Sequence, residues 1–354
     1  MKHNFGAGPC ILPQDVFKEA AEAVIDFNGL SILEVSHRHK DFVAVMDEAI
    51  ELTKKALNVP EGYSVGFLQG GATLGFTVAA LTMMRDRKKA GYMNTGTWAS
   101  GAIKEAKKVG IDVDVFASSE DQHFTYIPKA YNIPNDLDYV HFTSNNTIYG
   151  TQIHEWPEVP VPIVCDMSSD IFSRPLPIEK FGLIYAGAQK NMGPAGVTMV
   201  VVKKDLYNKK ADRHIPTMLD YKTHADGGSM YNTPPVFPIL VSKYNLEWVK
   251  EMVGLNGMEI RNTEKANLLY NAIDNSPYFK GTTAVEDRSQ MNVCFVFDEE
   301  HIGLEEKFNA ACKEANLSGL KGHRSVGGYR ASLYNALPLE SVQALVNVME
   351  NFAS

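Results

Sequence analysis

The sequence predicts an α/β fold: a large unit on a mostly parallel sheet covered by helices, followed by a smaller α+β unit. Two observations carry this. Between residues 63 and 203, strand-like apolar runs alternate with helix-like periodicity, as in a parallel sheet whose crossovers are helical. From about residue 239 the alternation stops, and two long helical patterns precede an isolated strand. The 354 residues, 45% hydrophobic and 21% charged, leave room for one large and one smaller domain. The expected division is an N-terminal segment 1–15, a large domain 16–255 and a C-terminal domain 256–354.

Residues 13–27 open with proline and repeat apolar residues at helical spacing, and 42–57 form a second amphipathic helix. A strand at 63–69 leads to a helix at 73–85, and a strand at 90–94 to a helix at 99–109. Further strands are read at 112–116, 139–144, 162–166, 183–186 and 197–203. The second unit holds helices at 240–253 and 258–275, the strand MNVCFVFD, a helix at 304–315, the short segment YRASLY and a closing helix at 339–352. THADGGSMYNTPPVFP, rich in Gly, Pro, Asn and Thr, reads as the main loop between the halves.

The formal net charge is −8, and no Lys/Arg block of the kind that grips phosphate backbones appears, so nucleic acid is not an expected partner. The start, MKHNFGAGPC, lacks a signal peptide's apolar core, and no apolar run approaches the roughly 18 residues of a membrane helix. The four cysteines, Cys10, Cys165, Cys294 and Cys312, form no CxxC; Cys165 and Cys294 lie in apolar strand patterns and read as buried free thiols. A reduced, cytoplasmic setting is expected.

Candidate chemistry gathers at strand ends. In FLQGGAT a strand gives way to two glycines and a helix, an arrangement that presents N–H groups to an anion, although a plain strand–helix turn would look the same. In VPIVCDMSSD, Asp166 ends a strongly apolar strand; it either points into a ligand crevice or caps the next turn. Lys190, in GAQKNMGPAG, stands between two apolar strands on a glycine-rich turn. Poor hydration there would lower its pKa and make it a nucleophile. The separation of 24 residues (190 − 166) fits one crossover between neighbouring strands, so an acid, an amine and an anion cradle would share one sheet edge. That set suits pyridoxal phosphate. Trp98, in NTGTWASG, would stack on a flat ring or fill the core, and Thr147, in SNNTIYG, would reach a ring oxygen or cap a turn. Two basic clusters remain: His37 and Arg38 in SHRHKDF, and His323, Arg324 and Arg330 in GHRSVGGYRAS. Arginines converging there would suit a substrate with several negative charges; solvated turns are the alternative.

Taken together, the motifs resemble the phosphoserine aminotransferase family, class V of the fold-type I pyridoxal phosphate enzymes. FGAGPC-LP, SHR, GGAT, TW, NTIYG, CDMSSD, YAGAQKNMGPAG, YNTPP and GHRSVGGYRAS run in the family's order from residue 5 to about 332. The resemblance implies that Lys190 is the Schiff-base lysine, Asp166 the partner of the pyridine nitrogen, Trp98 the stacked ring and Thr147 the hydroxyl beside the 3′-oxygen. It implies Ala72, Thr73 and Gln189 as phosphate ligands, with Asn232 and Thr233 added by the other subunit of a homodimer. Arg330 would grip the substrate α-carboxylate, and His37, Arg38, His323 and Arg324 its phosphate or second carboxylate. Asn146 stands where many relatives have glutamate, and Thr73 where serine is common. The implied reaction is reversible transamination between O-phospho-L-serine and 2-oxoglutarate in serine biosynthesis, with 4-phosphohydroxy-L-threonine of the vitamin B6 route as a further substrate left open.

Three rivals stand beside it. A cysteine desulfurase of the same fold needs a reactive, exposed cysteine. A cofactor-free lysine aldolase would leave Trp98, Asp166 and the glycine turn unexplained. A non-catalytic binding protein would have no use for Lys190 and Arg330 together.

Overall fold

The computed structural model describes residues 2–208 and 214–353. The chain begins with β1 (His3–Asn4), α1 (Gln14–Ile25) and α2 (Lys40–Ala56), then runs through β2 (Tyr63–Leu68), α3 (Gly71–Met83), β3 (Lys89–Asn94), α4 (Thr97–Lys108) and β4 (Asp112–Ser118). After β5 (Tyr139–Thr143) come the two-residue strands β6 (Asn145–Asn146) and β7 (Thr151–Gln152), then β8 (Ile163–Asp166), β9 (Phe181–Gly187) and β10 (Thr198–Lys203). Two short helices, α5 (Lys204–Asn208) and α6 (Tyr221–Asp226), precede the long pair α7 (Val236–Glu251) and α8 (Gly254–Asp274). The remainder is β11 (Phe279–Gly281), β12 (Asn292–Phe297), α9 (Glu305–Glu314), β13 (Leu317–Ser318), β14 (Tyr329–Ser332) and α10 (Leu339–Asn351).

The central sheet has seven strands in the order β2-β10-β9-β8-β5-β3-β4. Pairs β3–β4, β3–β5, β5–β8 and β8–β9 are parallel, and β10 alone runs antiparallel, to both β2 and β9. The predicted α/β, mostly parallel architecture is therefore what forms. The exception follows from chain length: only residues 188–197 join β9 to β10, and a parallel return needs a crossover of a dozen or more. Strands β5, β8 and β9 are buried along their whole length, as continuous apolar runs in a doubly covered sheet should be. Alternate residues feed two cores. Ile184 and Ala186 join Phe142, Cys165 and Val201 under α2 and α7, while Leu183 and Tyr185 join Val164 and Val200 under α3 and α4.

Helix starts differ from the sequence reading for local reasons. Helix α3 begins at Gly71, two residues early, because Gly70 takes a left-handed φ of 99° that turns strand into helix. A Cβ at Gly70 would meet Leu74 at 2.3 Å, so only glycine fits that bend. Helix α7 begins at Val236 with Pro238 in its first turn, where the missing N–H has no helical acceptor to lose. The stretch read as one loop contributes its first four residues to α6.

A second core packs α8, α9 and α10 on the antiparallel sheet β11-β12-β14. Phe279, Phe297, Phe308 and Phe352 meet there at centroid distances of 4.7 to 5.9 Å. The start of the chain contributes to this core. Strand β1 pairs in parallel with β13, and Phe5 is fully buried within the second core.

Candidate active site

Asp166 is the last residue of β8, and Lys190 follows the end of β9. Gly70 follows β2, Trp98 follows β3 and Thr147 follows β5. All lie beyond the carboxyl ends of strands that run the same way, the edge where open α/β sheets bind ligands. A cavity of about 320 Å³ opens there, with Ala72, Thr73, Trp98, Thr147, Asp166, Gln189, Lys190, His323 and Arg330 on its wall. Trp98 is 40% exposed within the chain and lines this cavity, so it does not fill the core.

Ser168 organises the acid. Its N–H and its hydroxyl donate to Asp166 Oδ1 at 2.9 and 2.6 Å, and the same hydroxyl accepts from Gly187 N–H at 3.0 Å. One serine thus ties the carboxylate to the root of the lysine turn, while Oδ2 keeps its lone pairs for a donor in the cavity. Lys190, 9% exposed, donates from Nζ to Thr147 Oγ1 at 3.0 Å. Among the described residues no ion pair joins Lys190 to Asp166. Burial pushes the Lys190 ammonium below its ordinary pKa, against the pull of Asp166 and with the help of Arg330. Burial likewise pushes Asp166 upward, opposed by the Ser168 hydrogen bonds and then by Lys190. Each group leans toward neutrality because neither is fully compensated. A cationic donor on Oδ2 would return the acid to its ionised form.

The lysine turn is braced on all sides. Ala188 N–H donates to Val197 C=O and Gly193 N–H to Ala188 C=O. Asn245 Nδ2 donates to the carbonyls of Asn191 and Met192 at 2.8 and 3.0 Å. Cys10 adds its N–H to Gln189 C=O at 3.0 Å and its thiol to Lys190 C=O at 2.7 Å. Its neighbours Ala7 and Gly8 form part of the cavity wall.

Helix α3 starts at this wall with Gly70 as N-cap, no side-chain cap and no acidic residue in the first turn. Its first N–H groups are left to an incoming anion, and the helix dipole favours one. The helix sits close to the sheet because Gly75 carries no side chain: a Cβ there would lie 2.9 Å from Tyr185. Arg330 on β14 also lines the cavity; it donates to Thr147 C=O at 3.4 Å, and its Nε is buried with no partner. The donor set therefore fits pyridoxal phosphate: an amine for the aldehyde, an acid for the ring nitrogen, an open helix start for the phosphate and an indole for the ring face.

Five of the residues expected at the site lie elsewhere within this chain. His37 is buried, its Nε2 without a partner, and burial with Arg38 beside it lowers its pKa. Arg38 and Arg324 are exposed. Asn232 lines a separate cavity behind Gly70 and Gly71, and Thr233 C=O accepts from Gln69 Nε2 at 2.6 Å. Ser168 and the Cys10 strap went unnoticed in the sequence. A serine two residues after a strand-end aspartate is the local signal that finds the first.

The four cysteines are free. Burial pushes Cys10, Cys294 and Cys312 up to about 12 and Cys165 well above its ordinary value. None is the exposed, low-pKa thiol that a desulfurase requires.

Comparison with known proteins then decides the family. The model described as aminotransferase class-V matches residues 3–345. The phosphoserine aminotransferase of Flavobacterium psychrophilum is 58% identical over 353 residues, covering 99% of this chain and 98% of its own. The solved phosphoserine aminotransferase of Bacillus circulans subsp. alkalophilus superposes with a TM-score of 0.95 at 45% identity, covering 99% of this chain and 98% of that one. The pyridoxal-phosphate-bound enzyme of Trichomonas vaginalis gives 0.94 at 35%, covering 99% and 100%. This chain belongs to the phosphoserine aminotransferase family of class-V aminotransferases. It is a pyridoxal-phosphate-dependent aminotransferase with the fold-type I architecture of that class.

Proposed function

We propose that this chain exchanges an amino group between O-phospho-L-serine and 2-oxoglutarate, giving 3-phosphohydroxypyruvate and L-glutamate, as a step of serine biosynthesis. One observation carries the reading. A single cavity presents Lys190, Asp166 and the open start of α3, with the incompletely paired Arg330 among its lining residues. Lys190 would hold the cofactor's aldehyde carbon, Asp166 Oδ2 its ring nitrogen, Trp98 its ring face and Thr147 its ring oxygen. Ala72, Thr73 and Gln189 would hold its phosphate. When bound, pyridoxal phosphate supplies an electron sink for the substrate α-carbon.

The chain's own residues do the rest. Once the substrate's amine has taken its place on the cofactor's aldehyde carbon, the freed Lys190 amine, lowered in pKa by burial and steadied by Thr147, would take up the proton from the substrate α-carbon and give it back on the same face. Asp166 keeps the ring-nitrogen proton in place through its own negative charge, which the Ser168 donors favour. Arg330 orients the α-carboxylate with its guanidinium fork. The phosphate of the substrate carries close to two charges near neutral pH and needs several cations. His323 is on the wall. The remaining set, His37, Arg38 and Arg324, does not reach the cavity within one chain, and neither do Asn232 and Thr233.

We read these five as facing a second copy of the chain in a homodimer with shared sites. Leu30, Leu33, Leu74, Met218 and Tyr231, large apolar side chains left exposed in one chain, are consistent with a covered face. Mixing an Asn232→Ala variant with a Lys190→Ala variant tests this. Recovery of activity supports shared sites, and none despite exchange of subunits refutes them. The same basic set would admit 4-phosphohydroxy-L-threonine, which a competition assay against O-phospho-L-serine measures. Among the described residues no helix is long and apolar enough to cross a membrane; with the cysteine pattern this supports a cytoplasmic enzyme.

The reaction itself is tested by mixing the cofactor-loaded protein with O-phospho-L-serine and no keto acid. Loss of the visible band, with pyridoxamine phosphate released on denaturation, is the expected result. A band bleached only by alanine or cysteine would overturn the substrate assignment, and absence of any band would overturn the role of Lys190.

A further inference from the structure

Lys265 lies in the middle of α8 with no exposed surface, and the chemistry above makes no use of it. Its Nζ donates to Leu333 C=O at 2.7 Å and to Tyr334 C=O at 2.8 Å. It has no carboxylate partner among the described residues. The ionisable groups that act on it are Arg261 and Cys10, and burial first, then Arg261, pushes its pKa well down. A buried amine so placed is costly unless its donors are matched, and here they are matched only by two backbone carbonyls.

Those carbonyls belong to the segment that joins the second core to the lysine turn. Tyr334 Oη donates to Ala7 C=O at 2.9 Å, and Ala7 is part of the cavity wall. Asn335 N–H donates to Asn191 Oδ1 at 3.0 Å, and Asn335 Nδ2 to Phe172 C=O at 2.9 Å. Asn262, one turn before Lys265 on the same side of α8, donates to Asn335 Oδ1 at 2.8 Å and to Ser173 C=O at 3.1 Å. Asn191 is the residue after Lys190. A continuous run of hydrogen-bonded groups thus leads from α8 through residues 333–335 to the base of the reactive amine, with only Asn262 Oδ1 left without a partner among those named.

We propose that Lys265 is a positioning residue for Lys190: by clamping the carbonyls of Leu333 and Tyr334 it fixes Asn335 against Asn191 and so sets where the Lys190 amine stands in the cavity. This rests on the reading of Lys190 given above. A merely structural tether would change thermal stability and nothing else.

The test uses the cofactor-loaded enzyme and the variants Lys265→Met and Asn335→Ala. The second keeps the backbone donor to Asn191 and is the milder change. Three quantities are read: kcat against KM with O-phospho-L-serine and 2-oxoglutarate, the pH midpoint of the visible band, and the melting temperature. Lys265→Met is expected to lower kcat by about tenfold or more while both KM values stay within about threefold. Its band midpoint moves by about half a pH unit or more, because the surroundings of Lys190 change. Asn335→Ala moves both in the same direction by less. Wild-type kcat and midpoint in Lys265→Met, whatever the melting temperature, would overturn the proposal. If Lys265→Met does not fold, Lys265→Gln, which keeps an N–H donor but shortens the reach to the two carbonyls, decides by the same two readings. A wild-type protein with no band at all would overturn the role of Lys190 itself, an outcome separate from variants that merely match the wild type.

Discussion

Lys190 and Lys265 are both withdrawn from water, yet they are built oppositely. Lys265 has two carbonyl acceptors and no acid; Lys190 has one hydroxyl acceptor and an acid across an open cavity. A buried amine held by two fixed carbonyls is suited to positioning its neighbours, whereas one left under-satisfied is available for chemistry. His141 shows a third arrangement. It is buried on β5, hydrogen-bonded through Nε2 with Tyr185 Oη at 2.7 Å and stacked on Tyr92 at 4.9 Å, with Nδ1 lacking a partner. Burial lowers its pKa to about 3, so it stays a neutral ring at ordinary pH.

Substitutions can break this contrast, and the largest effect is expected at the under-satisfied lysine. Lys190→Ala should bring transamination below about 10⁻⁴ of wild type while leaving the apoprotein folded, since it removes an incompletely paired buried group. Retained turnover in a rate assay would end the distinction between the two lysines. Asp166→Asn keeps the shape and removes the charge across the cavity. A fall of about 10²–10³-fold in the half-reaction with O-phospho-L-serine is expected, and a loss under threefold would show that the acid is not needed.

His141 is read through pH rather than rate. Its folded pKa is lowered from 6.5 to about 3, so between those values the unfolded chain binds a proton that the native chain refuses. Stability therefore falls as pH drops below about 6.5, and the penalty from this one ring reaches about 2 kcal/mol at pH 5. Urea unfolding of wild type and His141→Gln at pH 7 and pH 5 measures it. The variant should lose less on acidification, and parallel losses would mean the ring is protonated in the fold. Cys10 gives the smallest change. Removing its thiol donor from the Lys190 carbonyl in Cys10→Ala should cost about 1 kcal/mol by the same unfolding assay, and Cys10→Ser should recover most of it.

The sequence carried the parts of this molecule that depend on periodicity and on residues at strand ends. Asp166 and Lys190 could be placed on one edge because each directly follows an apolar run, and the 24 residues between them leave space for one crossover. Lys265 was invisible. In NTEKANLLY it looks like any surface lysine of a helix, and what buries it are carbonyls 68 and 69 residues further along. The Cys10 strap and the β1–β13 pair are hidden for the same reason: their partners are remote, and two-residue strands have no periodicity to read. The start of α3 was misplaced by two residues because a left-handed glycine, rather than an apolar pattern, begins it. Asn232, Thr233, His37, Arg38 and Arg324 could be named from motif resemblance, but within one chain they do not line the cavity.

Arg330 stands on β14, hydrogen-bonded into the three-stranded sheet opposite Cys294, while Asp166 ends one strand of the seven-stranded sheet and Lys190 lies on the turn that follows another. The group proposed to recognise the incoming acid and the groups proposed to make and break its bonds are thus carried by different sheets. A change at Arg330 itself would alter which acid is accepted, whereas a change that shifts the end of β14 would also reach Lys190 through residues 333–335. Substrate range is thus open to change at one arginine, while the segment that follows β14 keeps the two sheets in register around the amine.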